Sequence, residues 1–343
     1  MQFRKLGKHD LTMSAIGVGT WELGGNQYGP IDEDEAVRAI HRALDLGVTT
    51  VDTAPAYGHG HAEEVLGRAL ASRRKEIVLV TKCGLDWDDK KVIYRDGSPA
   101  RIVGGLEESL RRLKTDWVDL FLVHWPDVDR PLEPTMRAMQ EILASGKARY
   151  IGVSNFNVEQ MEIALSTGPL HCHQMGYNLF DRRVEREIMP FCVRNGIGIM
   201  AYGSLSYGLL TGTWTPDTKL EDWDWRSKGK AFGQPIFERE NLLKNLEVVE
   251  QLRAIARARG VTLPQLAMNW VLGNPAITVG LTGPRKPSEI EDTLGALGWE
   301  LTPAERAQVV KWLYDILSIL DAKSSHVLRT SAISLAAQTF LVG

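Results

Sequence analysis

Three apolar runs in this chain end on ionisable side chains, and a tyrosine stands close to one of them. VTTVDT (48–53) carries Asp52, EIVLVTK (76–82) ends on Lys82, and WVDLFLVH (117–124) ends on His124. Tyr57 follows Asp52 within DTAPAYGHGH (52–61). Singly, each could mark only the point where a strand surfaces into solvent. Together they have a chemical use. An aspartate and a lysine at the rim of a packed core are costly unless paired. A free phenol has a pKa near ~10, too high for an efficient proton shuttle at neutral pH. A nearby ammonium stabilises the phenolate, and an aspartate keeps that ammonium charged and oriented. His124 can donate a hydrogen bond to a carbonyl oxygen. The set reads as a general acid for reducing a carbonyl. A hydrolase is disfavoured, because no paired carboxylates or activated serine accompany it.

Other candidates nearby fail on geometry. His59 and His61 read as a surface turn, since neither a metal set nor a phosphate loop can be completed around them. His171 and His173 of HCH (171–173) share one face of a strand while Cys172 points the other way, so no metal is expected. Cys83 reads as a small buried thiol.

The elements that must position these groups alternate along the chain. SAIGVGT (14–20), the three runs above, ARYIGVSN (148–155), HCHQMGYN (171–178), GIGIMAY (196–202) and AITVGL (276–281) read as strands. Their near-continuous apolar character suits a parallel sheet buried on both faces. Helical patterns separate them. One opens at Asp32 with Glu35 as a capping box and Val37, Ile40 and Leu44 on one face; another begins near Ala62. A third starts at Ser98-Pro99, with Val103, Leu106, Leu110 and Leu113 as its buried stripe. Eight strand–helix units in 343 residues predict an α/β fold, the (β/α)8 TIM barrel. A doubly wound sheet would need a dinucleotide fingerprint, and GVGTWELG (17–24) has Glu22 where the third glycine belongs.

Three pieces lie outside the eight units. FRKLGKHDLTM (3–13) predicts a hairpin across the barrel bottom. Residues 203–240 form a long insertion after strand seven with Trp214, Trp223 and Trp225. TPAE (302–305) caps a final helix. We expect one barrel over 1–320 and a tail over 321–343.

Composition bounds the rest. Hydrophobic residues make up 44% and charged residues 24%, enough for a sizeable core. A net charge of −3 argues against nucleic acid or an anionic membrane as partner. Three cysteines without metal-site spacing, and an N-terminus lacking a signal-peptide core, predict a cytoplasmic setting. The oligomeric state stays open.

DTAPAYGHGHAEEVLG, LVTKCG, DLFLVHWPD, IGVSNF and GLTGPRKPSEIE, in this order, resemble the aldo-keto reductase superfamily over residues 1 to about 315. The likeness is to bacterial vegetative and general-stress reductases, with potassium-channel β-subunits further off. It implies Tyr57 as general acid, tuned by Lys82 and Asp52, with His124 orienting the carbonyl and NADPH, ahead of NADH, as hydride source. It also implies that Ser154, Asn155 and Gln174 hold the carboxamide and that Tyr202 stacks on the nicotinamide. Gly19, Thr20, Trp21 and Asp52 join that cofactor set. The loop with Ser204, Leu205, Gly208, Leu210 and Gly212 would cradle the pyrophosphate. Gly283, Arg285, Glu289, Asp292 and Thr293 follow strand eight, where a helix start and Arg285 would take the 2′-phosphate. Glu289, Asp292 and Thr293 stand where the family more often has glutamine, glutamate and asparagine, and Ser204 where it more often has proline. Arg226 is a second candidate for a phosphate.

Trp21, Trp87 and Trp125 are expected to line an apolar substrate pocket, with Trp223 and Trp225 in a lid. The expected function is NADPH-dependent reduction of small aldehydes or ketones. The alternative is an NADP(H)-binding redox-sensing subunit with little turnover.

Overall fold

The computed structural model describes residues 1–25 and 27–311; the expected tail lies outside them. A closed barrel of eight parallel strands forms the centre. The strands are β1 (Ile16–Gly19), β2 (Thr50–Asp52), β3 (Val78–Cys83), β4 (Val118–Val123), β5 (Ala148–Ser154), β6 (Cys172–Gly176), β7 (Gly198–Tyr202) and β8 (Ile277–Thr282). They pair in sequence order, and β8 closes on β1 with Gly280 opposite Ile16. The helices are α1 (Glu33–Asp45), α2 (His61–Ala69), α3 (Pro99–Leu113), α4 (Leu132–Ser145), α5 (Val158–Thr167), α6 (Ile188–Asn195), α7 (Arg239–Arg259), α8 (Leu263–Leu272) and α9 (Pro287–Leu294). Both α7 and α8 lie between β7 and β8. Residues 303–311 are helical too, behind a capping box in which Glu305 N–H donates to Thr302 Oγ1 at 3.2 Å and Thr302 N–H to Glu305 Oε2 at 2.8 Å.

Alternation along the strands sorts side chains into two cores. One faces out against the helices; the other fills the barrel and contains Val78, Val80, Leu120, Leu122, Cys172, Met200, Val279 and Leu281. The expected hairpin, Phe3–Lys5 with Thr12–Ser14, plugs the bottom of this inner core with Leu6, Leu11 and Met13. The plug is tight: a Cβ on Gly198 would fall 2.3 Å from Leu6 Cδ1. Continuing each inward-facing row toward the C-terminal end of the barrel leads from apolar residues to Asp52, Lys82, Ser154, Gln174 and Tyr202. The same period that builds the core thus places a polar layer on top of it.

Two local expectations need correction. Val103 is exposed, at 40%, and the buried stripe of α3 is Ile102, Leu106, Leu110 and Leu113. Residue 102 lies four before 106 and so shares its face, whereas 103 is rotated about 100° away. At α1, Asp32 accepts from Glu35 N–H at 2.9 Å, but the Glu35 carboxylate pairs with Arg38 instead of returning to the cap. That is half a capping box. A second hairpin, Leu85–Trp87 with Ile93–Arg95, follows β3 and was not expected.

Truncating the bottom plug should leave a cavity that the surrounding strands cannot close. Leu6→Ala is expected to lower stability by about 2–5 kcal/mol, read as an earlier midpoint in urea unfolding with an unchanged slope.

Candidate active site

The register that closes the barrel sets β2 beside β3, and from these neighbours Asp52 and Lys82 meet. Lys82 Nζ donates to Asp52 Oδ2 at 2.7 Å, to Thr53 O at 2.8 Å and to the Tyr57 hydroxyl at 3.1 Å. An ammonium has three donors, and all three are used. Because the phenol oxygen accepts from Lys82, its own proton is left to point into the mouth. The other Asp52 oxygen accepts from Gln174 Nε2 at 2.7 Å. The Lys82 side chain has no exposure and that of Asp52 4%, so the pair is desolvated. The tyrosine is positioned by backbone contact: a Cβ on Gly58, whose φ is 65°, would fall 2.6 Å from Gly24 O. The turns after β1 and β2 therefore pack without intervening side chains.

His124 follows β4, its N–H donating to Cys83 O at 2.9 Å. Its ring meets that of Tyr57 edge to face, centroids 5.8 Å apart. Burial, then Lys82, pushes its pKa well below the ordinary value, so the imidazole is neutral at pH 7. Burial pushes Lys82 down and Asp52 up, each opposed by the other's charge. Burial first, then Asp52 and Glu22, hold the Tyr57 pKa well above 10, so the phenol is protonated at neutral pH.

Next to this set, Asn155 follows β5 with a φ of 62° and links three strands. It donates to His124 O and to Ser154 Oγ, each at 3.0 Å, and accepts from the Tyr202 hydroxyl at 2.7 Å. Thr20 Oγ1 donates to Asp52 O at 3.0 Å. Gly19 is open toward the mouth: a Cβ there would meet only Thr282 O, at 3.7 Å. Beyond β7, Ser206, Tyr207 and Gly208 have φ of 50°, 55° and 100°, a curl of the kind that forms concave anion sites.

The long insertion roofs the mouth with aromatic rings. Trp21 stacks on Tyr57 and on Trp225, with centroids 6.2 and 5.3 Å apart. Phe232 lies 5.4 Å from Tyr202 edge to face, 6.0 Å from Trp125 and 5.6 Å from Tyr207. Trp87, on the unexpected hairpin, meets His59 at 5.4 Å. Trp223 is half exposed and lies over Gly29.

Asp52, Tyr57, Lys82, His124, Ser154, Asn155, Gln174, Tyr202, Gly19, Thr20 and Trp21 thus converge. Others do not. Asp292 accepts from Thr262 Oγ1 and Gln265 Nε2 of α8, both at 2.9 Å. Thr293 is buried and donates to Glu289 O at 2.8 Å. The Leu210 side chain is in the core. Ser204 donates to Ala201 O at 3.3 Å, Leu205 packs partly buried on the core, and Gly212 O accepts from Arg253 at 2.9 Å. Arg285 donates to Pro30 O and takes Glu289 on its own N–H, both at 2.7 Å. Arg226 pairs with Asp224 and donates to Tyr207 O at 2.8 Å. His171 and His173 bond the backbone of Ile151 and Phe156, and among the described residues no group of three or more His, Cys, Asp or Glu could hold a metal. Two groups at the mouth were missed: Glu22, noted only as a missing glycine, and Phe232, which no spacing in the sequence marks.

The sequence profile of the Aldo/keto reductase family matches residues 15–313. The chain belongs to this family. It is 39% identical to aldo-keto reductase YhdN of Bacillus subtilis, over 93% of this chain and 95% of the relative. It is 32% identical to an NADH-specific methylglyoxal reductase of Escherichia coli, over 88% and 94%. Among solved structures it resembles the glycerol dehydrogenase AKR11B4 from Gluconobacter oxydans, at 38% identity and a TM-score of 0.83, over 91% of this chain and 95% of that one.

The buried pair predicts a sign reversal between single and double substitution. Asp52→Ala strands the Lys82 charge and should cost about 3–5 kcal/mol. Asp52→Leu combined with Lys82→Met should regain much of that loss in chemical denaturation.

Proposed function

We propose that this protein reduces aldehydes or ketones to alcohols, with NADPH supplying the hydride. The observation that carries the reading is the Lys82 ammonium bonded at once to Asp52 and the Tyr57 oxygen beside a neutral imidazole. Buried polar atoms at the mouth support a ligand there: His124 Nδ1 and Ser206 Oγ have no partner. When bound, the nicotinamide supplies a hydride to the carbonyl carbon. The residues do the rest. Neutral His124 carries one N–H, which donates to the carbonyl oxygen and holds it near Tyr57. Tyr57 transfers its proton to that oxygen as negative charge develops on it. Lys82 stabilises the phenolate left behind, and Asp52 and Gln174 hold Lys82 in place. Ser154, Asn155 and Gln174 are positioned to orient a carboxamide, and Tyr202 offers a ring for stacking. Trp21, Trp125, Trp225 and Phe232 exclude water. Arg285 favours NADPH, although one relative is NADH-specific.

Mixing the protein with NADPH and 4-nitrobenzaldehyde should consume the cofactor's absorbance. Tyr57→Phe should lower kcat by roughly 10²-fold or more; unchanged turnover would overturn the assignment. Tight NADPH binding without turnover on a carbonyl panel would point to redox sensing instead.

Replacing Arg285 with alanine removes a charge-assisted bond to the 2′-phosphate. The Kd for NADPH should rise about tenfold or more while that for NADH moves little. Equal loosening of both would place Arg285 elsewhere on the cofactor.

A further inference from the structure

Glu22 occupies an unusual place for an acid. It sits in the turn Trp21–Gly24 after β1, and β8 is the neighbour of β1 in the closed barrel. A Cβ on Gly283 would fall 2.1 and 2.3 Å from the two Glu22 carboxylate oxygens. The carboxylate therefore lies against the bare Cα of Gly283, in the loop that would receive the cofactor's phosphates. Arg285 and Glu289 from the segment after β8 and Arg226 from the insertion act on it, and it in turn acts on Tyr28 and Tyr57. Neither arginine is directed at it, since Arg285 bonds Pro30 O and Arg226 bonds Asp224. The guanidinium of Arg226 also borders the curled loop, 3.1 Å from where a Gly208 Cβ would be.

We propose that Glu22 competes with the cofactor's phosphates for the space against Gly283, so that dinucleotide binding transfers a proton from solvent onto Glu22. The inference rests on the dinucleotide reading above. Glu22 is partly buried, and desolvation raises it to about 7 against a backbone hydrogen bond and the pull of Arg285 and Arg226, with a push from Glu289. A phosphate beside it adds like charge and favours the protonated acid further. The sign follows from linkage. Affinity is full below the free protein's value and falls as pH rises through it, by up to about tenfold per pH unit. The two tyrosines lie well above the ordinary phenol value and so stay neutral in this range.

The test is the Kd of NADPH and of NADH, from quenching of tryptophan fluorescence, between about pH 6 and about pH 8.5. NADH matters because it lacks the 2′-phosphate, which itself titrates near ~6. For the wild-type protein both Kd values should rise about fivefold or more across the range. Glu22→Gln should bind more tightly at the alkaline end and nearly independently of pH. Calorimetry of the unmutated protein in buffers of different ionisation enthalpy should show net proton uptake, which guards against a misfolded variant. Wild-type binding that is independent of pH, or a Glu22→Gln slope equal to wild type, overturns the proposal alone. Failure of the wild-type protein to bind either dinucleotide at any pH overturns the cofactor reading itself.

Discussion

A lysine with no exposed surface is the constraint on which the mouth of this barrel depends. An ammonium in such a place is tolerable only with its donors satisfied and a counter-charge in contact. Lys82 meets both needs through Asp52, Thr53 O and Tyr57. Asp52 is in turn fixed by Gln174 from across the barrel. The inner strand faces below are apolar and packed against the hairpin plug. The ion pair is the lowest layer of the site and the topmost layer of the core.

Its consequences run outward. Because Lys82 donates to the phenol oxygen, Tyr57 can only donate away from it, toward the mouth. Burial keeps the phenol protonated and the His124 ring neutral, the two forms that donate hydrogen bonds to a neutral oxygen. The aromatic roof strengthens every electrostatic interaction beneath it by excluding water. Desolvation raises the phenol's pKa, and the Lys82 ammonium is bonded to its oxygen.

The loops add what the barrel does not specify. A chain can keep the strand-end chemistry of its family and vary the walls around it. Here the walls are the hairpin carrying Trp87, the insertion carrying Trp225 and Phe232, and an acid, Glu22, against Gly283. Asp292 and Thr293 show the reverse case: they follow the expected helix start, yet their polar atoms are engaged with α8 and with the backbone.

What the sequence by itself determined is what short-range periodicity records. The eight apolar runs, the bottom hairpin and the helix starts follow from side-chain alternation and capping chemistry, which are local. The ends of those runs named Asp52, Lys82 and His124, because a strand leaving a packed interior changes from apolar to polar there. A helix phase read one residue late, at Val103, shows how little separates a buried face from an exposed one. Only the tertiary structure decided the rest. Closure of the barrel sets β8 against β1 and so presses Glu22 onto Gly283, a contact between residues more than two hundred and fifty positions apart in the chain. The insertion brings Phe232 among Tyr202, Tyr207 and Trp125, and burial raises the pKa of Tyr57 further. Contacts across such separations depend on loop paths and on desolvation, and neither leaves a period in the sequence.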